Sequence, residues 1–201
     1  MPVHREEMND PAYLNKKCIN NIINLSLEER ITIMKLIVND LSSCYKVRQI
    51  LEEDIWDVSS LCKGNPTYYT YIKSEPTIEN IKKDWTALPP GKTMDDKFFV
   101  GFYKENQLIA IMDLITEYPD NNTVFIGFFM MNKKYQDLGI GTKIIDEAIY
   151  FLKKEGFRYV RLGYIKGNLE SENFWIRNKF TSAGIESETE SYTIVVMQRD
   201  L

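Results

Sequence analysis

The sequence predicts an α/β fold with parallel and antiparallel strands in one mixed sheet. Two observations predict it. Residues 108–115 and 124–131 are apolar runs of the kind that fill central strands. The second run passes through a polar turn into an amphipathic helix and then another strand, the order of a right-handed parallel crossover. A chain of 201 residues is long enough for one domain of ordinary size with a sizeable core.

Composition removes several classes of function. The net charge is -4 and there is no basic run, so nucleic acid is not expected as a partner. The single histidine, His4, sits in a polar N-terminal stretch. That argues against a Ser-His-Asp or Cys-His mechanism and against a histidine-ligated metal, and no metal is expected. Cys18, Cys44 and Cys62 form no C-x-x-C pair, which fits reduced thiols and a cytoplasmic location. No secretory leader is evident, and no apolar stretch is long enough to cross a bilayer, so no membrane partner is expected. Carboxylates, tyrosines and backbone amides remain as the chemical resources.

Residues 1–42 read as an N-terminal extension, partly helical, ahead of a domain at 43–201. Ser26-Leu27-Glu28-Glu29 is a capping box before the apolar positions Ile31, Met34, Leu36, Ile37 and Val38. The extension is either an arm over a groove or dimer partner, or a frayed segment, with Met34 as an alternative start. Residues 45–50 alternate as a first strand. Acidic Glu52, Glu53 and Asp54 then open a helix through Ile55, Val58, Leu61 and Cys62, which Gly64-Asn65-Pro66 ends. Tyr68-Tyr69-x-Tyr71 follows in an expected loop, either as an aromatic wall for a substrate or as packing under that loop. Residues 77–88 form a second helix between Pro76 and Pro89-Pro90.

Gly91-Lys92-Thr93 is not a nucleotide P-loop, because Thr86 stands where that motif needs glycine and no strand leads into it. Residues 97–103 and 107–117 predict a hairpin turned at Lys104-Glu105-Asn106. Asp113 interrupts its apolar second strand. A carboxylate there either pairs with a buried donor or works in a site. Glu117 is expected on the same face. The strand at 123–131 leads into Gln136-Asp137-Leu138-Gly139-Ile140-Gly141-Thr142. A helix follows, with Ile140, Ile144, Ile145, Ala148, Ile149 and Leu152 on one face and Gly156 at its end. Backbone N–H groups at that helix start, approachable through the glycines, suit a phosphate-bearing cofactor. A Rossmann dinucleotide site is improbable, since Ile144 stands where its third glycine would be. Residues 157–164 form a strand parallel to the central one. Asn168 caps a further helix, and residues 180–186 and 191–198 finish as an antiparallel pair.

Gln136-x-x-Gly139-x-Gly141, placed between a buried strand and an amphipathic helix, resembles the Q/R-x-x-G-x-G/A signature of the GNAT superfamily, the acetyl-CoA-dependent N-acetyltransferases. Asn168-x-x-Ser171-x-x-Phe174-Trp175-x-Arg177-x-Lys179-Phe180 is similar to its second signature, with Lys179 where glycine is usual. The resemblance covers residues 44–201. It implies a twisted mixed sheet of about six or seven strands with helices on both faces, and central parallel strands that splay apart. It implies acetyl-CoA as co-substrate. Its pyrophosphate would lie on residues Gln136, Asp137, Leu138, Gly139, Ile140, Gly141 and Thr142, and its pantetheine along Phe129, Met130 and Met131. Asn168 and Phe174 complete the implied cofactor site, and Gly127 is the expected bulge.

The implied reaction is direct attack of a primary amine on the acetyl thioester, with an N–H near Met131 polarising the carbonyl. Phe125 replaces the glutamate that serves several family members as base, so Asp113 or Glu117 is expected in that role. Trp175 replaces the tyrosine often used to protonate the thiolate. Tyr164 or Tyr192 stands in, or no acid is needed, because a thiol of pKa about 8.5 leaves tolerably. These two departures also fit an alternative: a catalytically impaired acyl-CoA-binding module with a regulatory or assembly role. The acceptor, a small-molecule or protein amine, is not legible. The acidic turns and nearby tyrosines hint at a cationic one, and a homodimer is a family-level expectation.

Overall fold

The computed structural model describes residues 38–201, and Val38–Leu201 is one compact unit. Among these residues seven strands form one sheet in the order β1-β2-β3-β4-β5-β7-β6. The strands are β1 (Lys46–Gln49), β2 (Lys97–Lys104), β3 (Gln107–Thr116), β4 (Thr123–Met131), β5 (Tyr159–Ile165), β6 (Thr181–Glu188) and β7 (Thr193–Asp200). The helices are α1 (Ile55–Lys63), α2 (Pro66–Ile72), α3 (Ile78–Thr86), α4 (Ile140–Lys154) and α5 (Leu169–Arg177). In this sheet β4 and β5 are parallel, and every other neighbouring pair is antiparallel. The expected capping box at 26–29 and the helix behind it lie outside the described residues, as do His4 and Cys18. Within them, Val38 and Leu41 are buried, and the Ser42 and Ser43 hydroxyls donate to Glu147 on α4.

The hairpin forms where the sequence places it. Glu105 and Asn106 both take positive φ, 49° and 65°, which matches the twist that a two-residue connection must follow. That turn pairs Tyr103 with Leu108, and a one-residue shift between Tyr103 and Phe102 then brings Phe99 opposite Asp113. One face of the sheet carries Phe99, Ile111 and Met130 against Ile55, Val58, Leu61 and Cys62 of α1, Tyr69 of α2 and Ile81 of α3. Side chains alternate along a strand, so Ala110, Met112 and Leu114 face the other way, and they are buried too. On that side Gly141 of α4 packs against Met131 and Phe174, and Arg199 of β7 reaches Asp146 of α4. Ile144, Ile145, Ala148, Ile149 and Leu152 make the buried face of α4, as their spacing predicts, whereas Ile140, expected with them, is half-buried at the helix start. Full burial of each Ile or Leu contributes about 1.5–3 kcal/mol.

Two local expectations change. Tyr68, Tyr69 and Tyr71 lie on α2 and not in a loop. Pro66 sits in its first turn, where a missing N–H costs no hydrogen bond. Proline therefore ends one helix and starts the next. Glu117 leaves the strand: β3 stops at Thr116, and Glu117 has φ 55° and an exposed side chain.

Candidate active site

The parallel pair parts halfway along. Thr123 to Ile126 are paired with Tyr159 to Leu162, one to one, and pairing stops there. Beyond it β4 runs on to Met131 and β5 to Ile165 with a gap between them. The cause is a bulge. Asp113 pairs with Phe128 but Leu114 pairs with Ile126, so Gly127 is an extra residue in β4, and an extra residue bends its strand. Asn132 N–H donates to the Ile109 carbonyl (2.8 Å). By the antiparallel alternation, Met130 then turns its backbone groups to β3, whereas Phe129 and Met131 turn theirs to the gap. Of the three residues expected along a pantetheine chain, Phe129 and Met131 turn main-chain groups to the gap, and the Met131 carbonyl is taken by the Asn65 side chain (3.0 Å).

The loop after β4 is open to solvent at Asp137, Leu138 and Gly139. Gly139 has φ 75° and forms the N-cap of α4 without a side-chain cap, a backbone state that favours glycine. Lys143 N–H is the first to bond back, to the Gly139 carbonyl. The N–H groups of residues 137–142 meet no acceptor among the described residues. They lie at and just before the positive end of a 15-residue helix, where an anion is stabilised. Gln136 does not project toward them. Its amide donates to Asn65 Oδ1 (2.7 Å), and Asn65 donates in turn to the carbonyls of Leu61 (2.9 Å) and Met131 (3.0 Å). This clasp ties the loop to the end of α1 and the end of β4. Asn168, 6% exposed, caps α5 by accepting from Ser171 N–H, and Phe174 stacks on Phe129 across the wedge (5.7 Å).

At the apex of the wedge the bulge meets a buried ion pair. A Cβ on Gly127 would lie 2.6 Å from Asp113 Oδ2, so only glycine lets that carboxylate approach the bent strand. The same oxygen accepts from Lys97 Nζ at 2.6 Å, and both residues are nearly sealed from water. Lys97 also donates to the carbonyls of Ala87 (2.9 Å) and Asp84 (3.4 Å). The second oxygen of Asp113 is buried without a partner. Desolvation pushes the Asp113 carboxyl up to about 6, and the Lys97 charge only partly offsets it. A cavity of about 370 Å³ opens here, walled by Tyr68, Tyr118, Phe125, Phe128 and Tyr192, and also lined by Asp84, Lys97, Asp113 and Gly127.

Of the expected catalytic residues, the cavity gathers Asp113 and the stand-in Tyr192, and not Glu117 or Tyr164. Tyr164 instead donates to Glu172 of α5 (2.9 Å), and burial, with that bond, pushes it up to about 12. Phe125 does occupy the cavity wall, edge-on to Tyr118. Trp175 does not: it is buried among Phe129, Phe174 and Phe180. Tyr68 and Tyr69 act both as core and as cavity wall. Sequence reasoning missed Lys97, Asp84 and Asn65. Lys97 and Asp113 are diagonal neighbours across the hairpin, a register that the turn alone does not give, because the pairing shifts by one residue between Phe102 and Tyr103. Asp84, three residues after buried Ile81, shares its helix face. Among the described residues no group of three or more Cys, His, Asp or Glu side chains is placed to hold a metal, and no helix is long and apolar enough to cross a membrane.

The model of the acetyltransferase (GNAT) family matches residues 58–180. The chain is similar to the solved acetyltransferase of Thermus thermophilus, at 15% identity and TM-score 0.63 over 78% of this chain and 97% of that one. It is similar to the ribosomal-protein-S18-alanine N-acetyltransferase of Escherichia coli, at 10% identity and TM-score 0.55 over 78% and 93%. It is also similar to the PaiA N-acetyltransferase of Thermoplasma acidophilum, solved in complex with coenzyme A, at 20% identity and TM-score 0.56 over 78% and 99%. At these identities the likeness establishes the fold and leaves the substrate open. The sequence finds no match among curated proteins.

Proposed function

The chain belongs to the acetyltransferase (GNAT) family, and from that premise we propose that it transfers acetyl from acetyl-CoA to a primary amine by direct attack, with Asp113 as general base. One observation carries this reading: the wedge between β4 and β5 ends at a bulge that touches a buried carboxylate with a free oxygen. The free amides of residues 137–142 hold the diphosphate of the co-substrate. The backbone of Phe129 and Met131 holds its pantetheine arm, and the thioester arrives beside Gly127. The acceptor enters the cavity as an ammonium and gives a proton directly to Asp113, whose side chain turns its unpartnered oxygen to meet it. The freed lone pair attacks the thioester carbonyl carbon, and backbone N–H groups of β4 stabilise the oxyanion. Collapse forms the amide and expels the thiolate, which takes up a proton from the amide nitrogen through solvent or Tyr192.

A carboxylate whose pKa is lifted to about 6 by burial is a better base near neutrality than an ordinary one. That supports catalysis over a purely acyl-CoA-binding role. Purified protein with acetyl-CoA and a mixed panel of primary amines tests the reading. Amine-dependent release of free thiol, lost in Asp113→Asn while coenzyme A still binds, is expected. Tight coenzyme A binding with no thiol release from any amine would defeat it.

A further inference from the structure

The cavity beside the bulge is chemically lopsided. Its walls are aromatic, from Tyr68, Tyr118, Phe125, Phe128 and Tyr192, with aliphatic side chains filling the rest. Its charged lining residues among those described are two carboxylates, Asp84 and Asp113, and one ammonium, Lys97. An ammonium has three donors, and Lys97 spends all three: on Asp113 Oδ2 and on the carbonyls of Ala87 and Asp84. No cation in this described lining is left to receive a carboxylate or phosphate. Asp84 is the reverse case. The residue is exposed on α3 where it lines the cavity. Its carboxylate takes part in none of the ion pairs among the described residues, and its pKa is raised by desolvation and held back by the Lys97 charge. The free oxygen of Asp113 is sealed from water with no donor against it.

Resting on the acyl-transfer reading, we propose that the acceptor is a small primary amine with an apolar or aromatic body and no acidic group, received as its ammonium by Asp84 and Asp113. The ammonium supplies the direct ion-pair partner that Asp84 does not have among the described residues and the donor that the second oxygen of Asp113 lacks. Aromatic faces around it add cation–π attraction while the body fills the apolar wall. A volume of about 370 Å³ lies at the low end for small-molecule sites. An amino acid would bring its carboxylate between two like charges. A peptide N-terminus would press unpaired backbone amides against aromatic rings, which costs free energy with no hydrogen bond to offset it. Asp84 is thus a specificity-determining residue that meets the incoming charge.

The full chain is assayed with saturating acetyl-CoA for free-thiol release with phenethylamine, with L-phenylalanine (the same body plus a carboxylate) and with a Phe-Gly-Gly peptide. Phenethylamine is expected to exceed both others by about 100-fold in kcat/KM, since an unmatched buried charge discriminates at that level or beyond. Asp84→Asn is expected to raise KM for phenethylamine about 10-fold with kcat nearly unchanged, the signature of lost binding in the ground and transition states alike. It is also expected to narrow the discrimination against L-phenylalanine and to leave coenzyme A affinity as it was. Equal or better turnover of L-phenylalanine or the peptide overturns the proposal and leaves acyl transfer standing. So does an unchanged KM in Asp84→Asn, whatever the wild-type preference. Coenzyme A binding without thiol release from any of the three, or from a wider amine panel, overturns acyl transfer itself and this proposal with it.

Discussion

Replacing Gly127 by alanine tests the geometry at the apex of the wedge. Gly127 does not have positive φ, so alanine brings no backbone strain and the whole effect is steric. The added methyl would sit 2.6 Å from Asp113 Oδ2 and 3.4 Å from Asp113 Cγ. The carboxylate must therefore move by several tenths of an ångström, and the motion draws it off Lys97. Lys97 cannot follow freely, because two backbone carbonyls on the α3 side hold it. Overpacking of this kind costs about 1–3 kcal/mol, with a ceiling of about 3–5 kcal/mol if the buried pair breaks outright. In a chain of this size each kcal/mol lowers Tm by about 2–4 °C. Calorimetry of Gly127→Ala should therefore show a loss of roughly 2–12 °C, taking the overpacking range. Turnover should fall about 10- to 100-fold, because a small displacement of a positioned group is costly. Coenzyme A affinity should change little, since the free amides of residues 137–142 lie elsewhere. Wild-type Tm together with wild-type turnover would refute the reasoning: the carboxylate would then be free to swing, and neither a fixed pair nor a positioned base.

Three further outcomes follow from the same geometry. Asp113 is a base only when ionised, and its carboxyl loses its proton at about 6. Acetyl transfer should therefore fall as pH drops below about 6, and Asp113→Asn should lose that limb along with about 10²–10⁴-fold in rate, as pH profiles of kcat/KM will show. Gly139→Val places a β-branched residue at φ 75°, a cost of about 1–3 kcal/mol. It should weaken coenzyme A binding about 10-fold or more in titration calorimetry while the sheet stays folded by circular dichroism. Ile145→Ala empties a fully buried position on α4 and should cost about 2–5 kcal/mol in urea unfolding.

The strands at 97–103, 107–117, 123–131 and 157–164, and the helix behind Gly139, were legible because their cause is local. An apolar run, a 3.6-residue period, a proline or a glycine acts through neighbours in the chain. The bulge at Gly127 and the splay of β4 from β5 were legible only through the family resemblance, since neither has a local signal strong enough to stand alone. Other features were closed to sequence reading for a different reason. Whether Asp113 is paired depends on the hairpin register that brings Lys97 diagonal to it. Whether Glu117 shares its face depends on where β3 stops. The partner of Gln136 lies at Asn65, across a sequence separation that no periodicity spans, and the buried carboxylate of the cavity that Phe125 walls comes from the adjacent strand. Local patterning along the chain was enough to settle which segments become strands and helices, and that a glycine-bearing turn opens α4. Tertiary structure alone decided which carboxylates meet at the apex and which lysine is already engaged there, because those facts depend on contacts between residues that are distant along the chain and adjacent only once the sheet has closed its register.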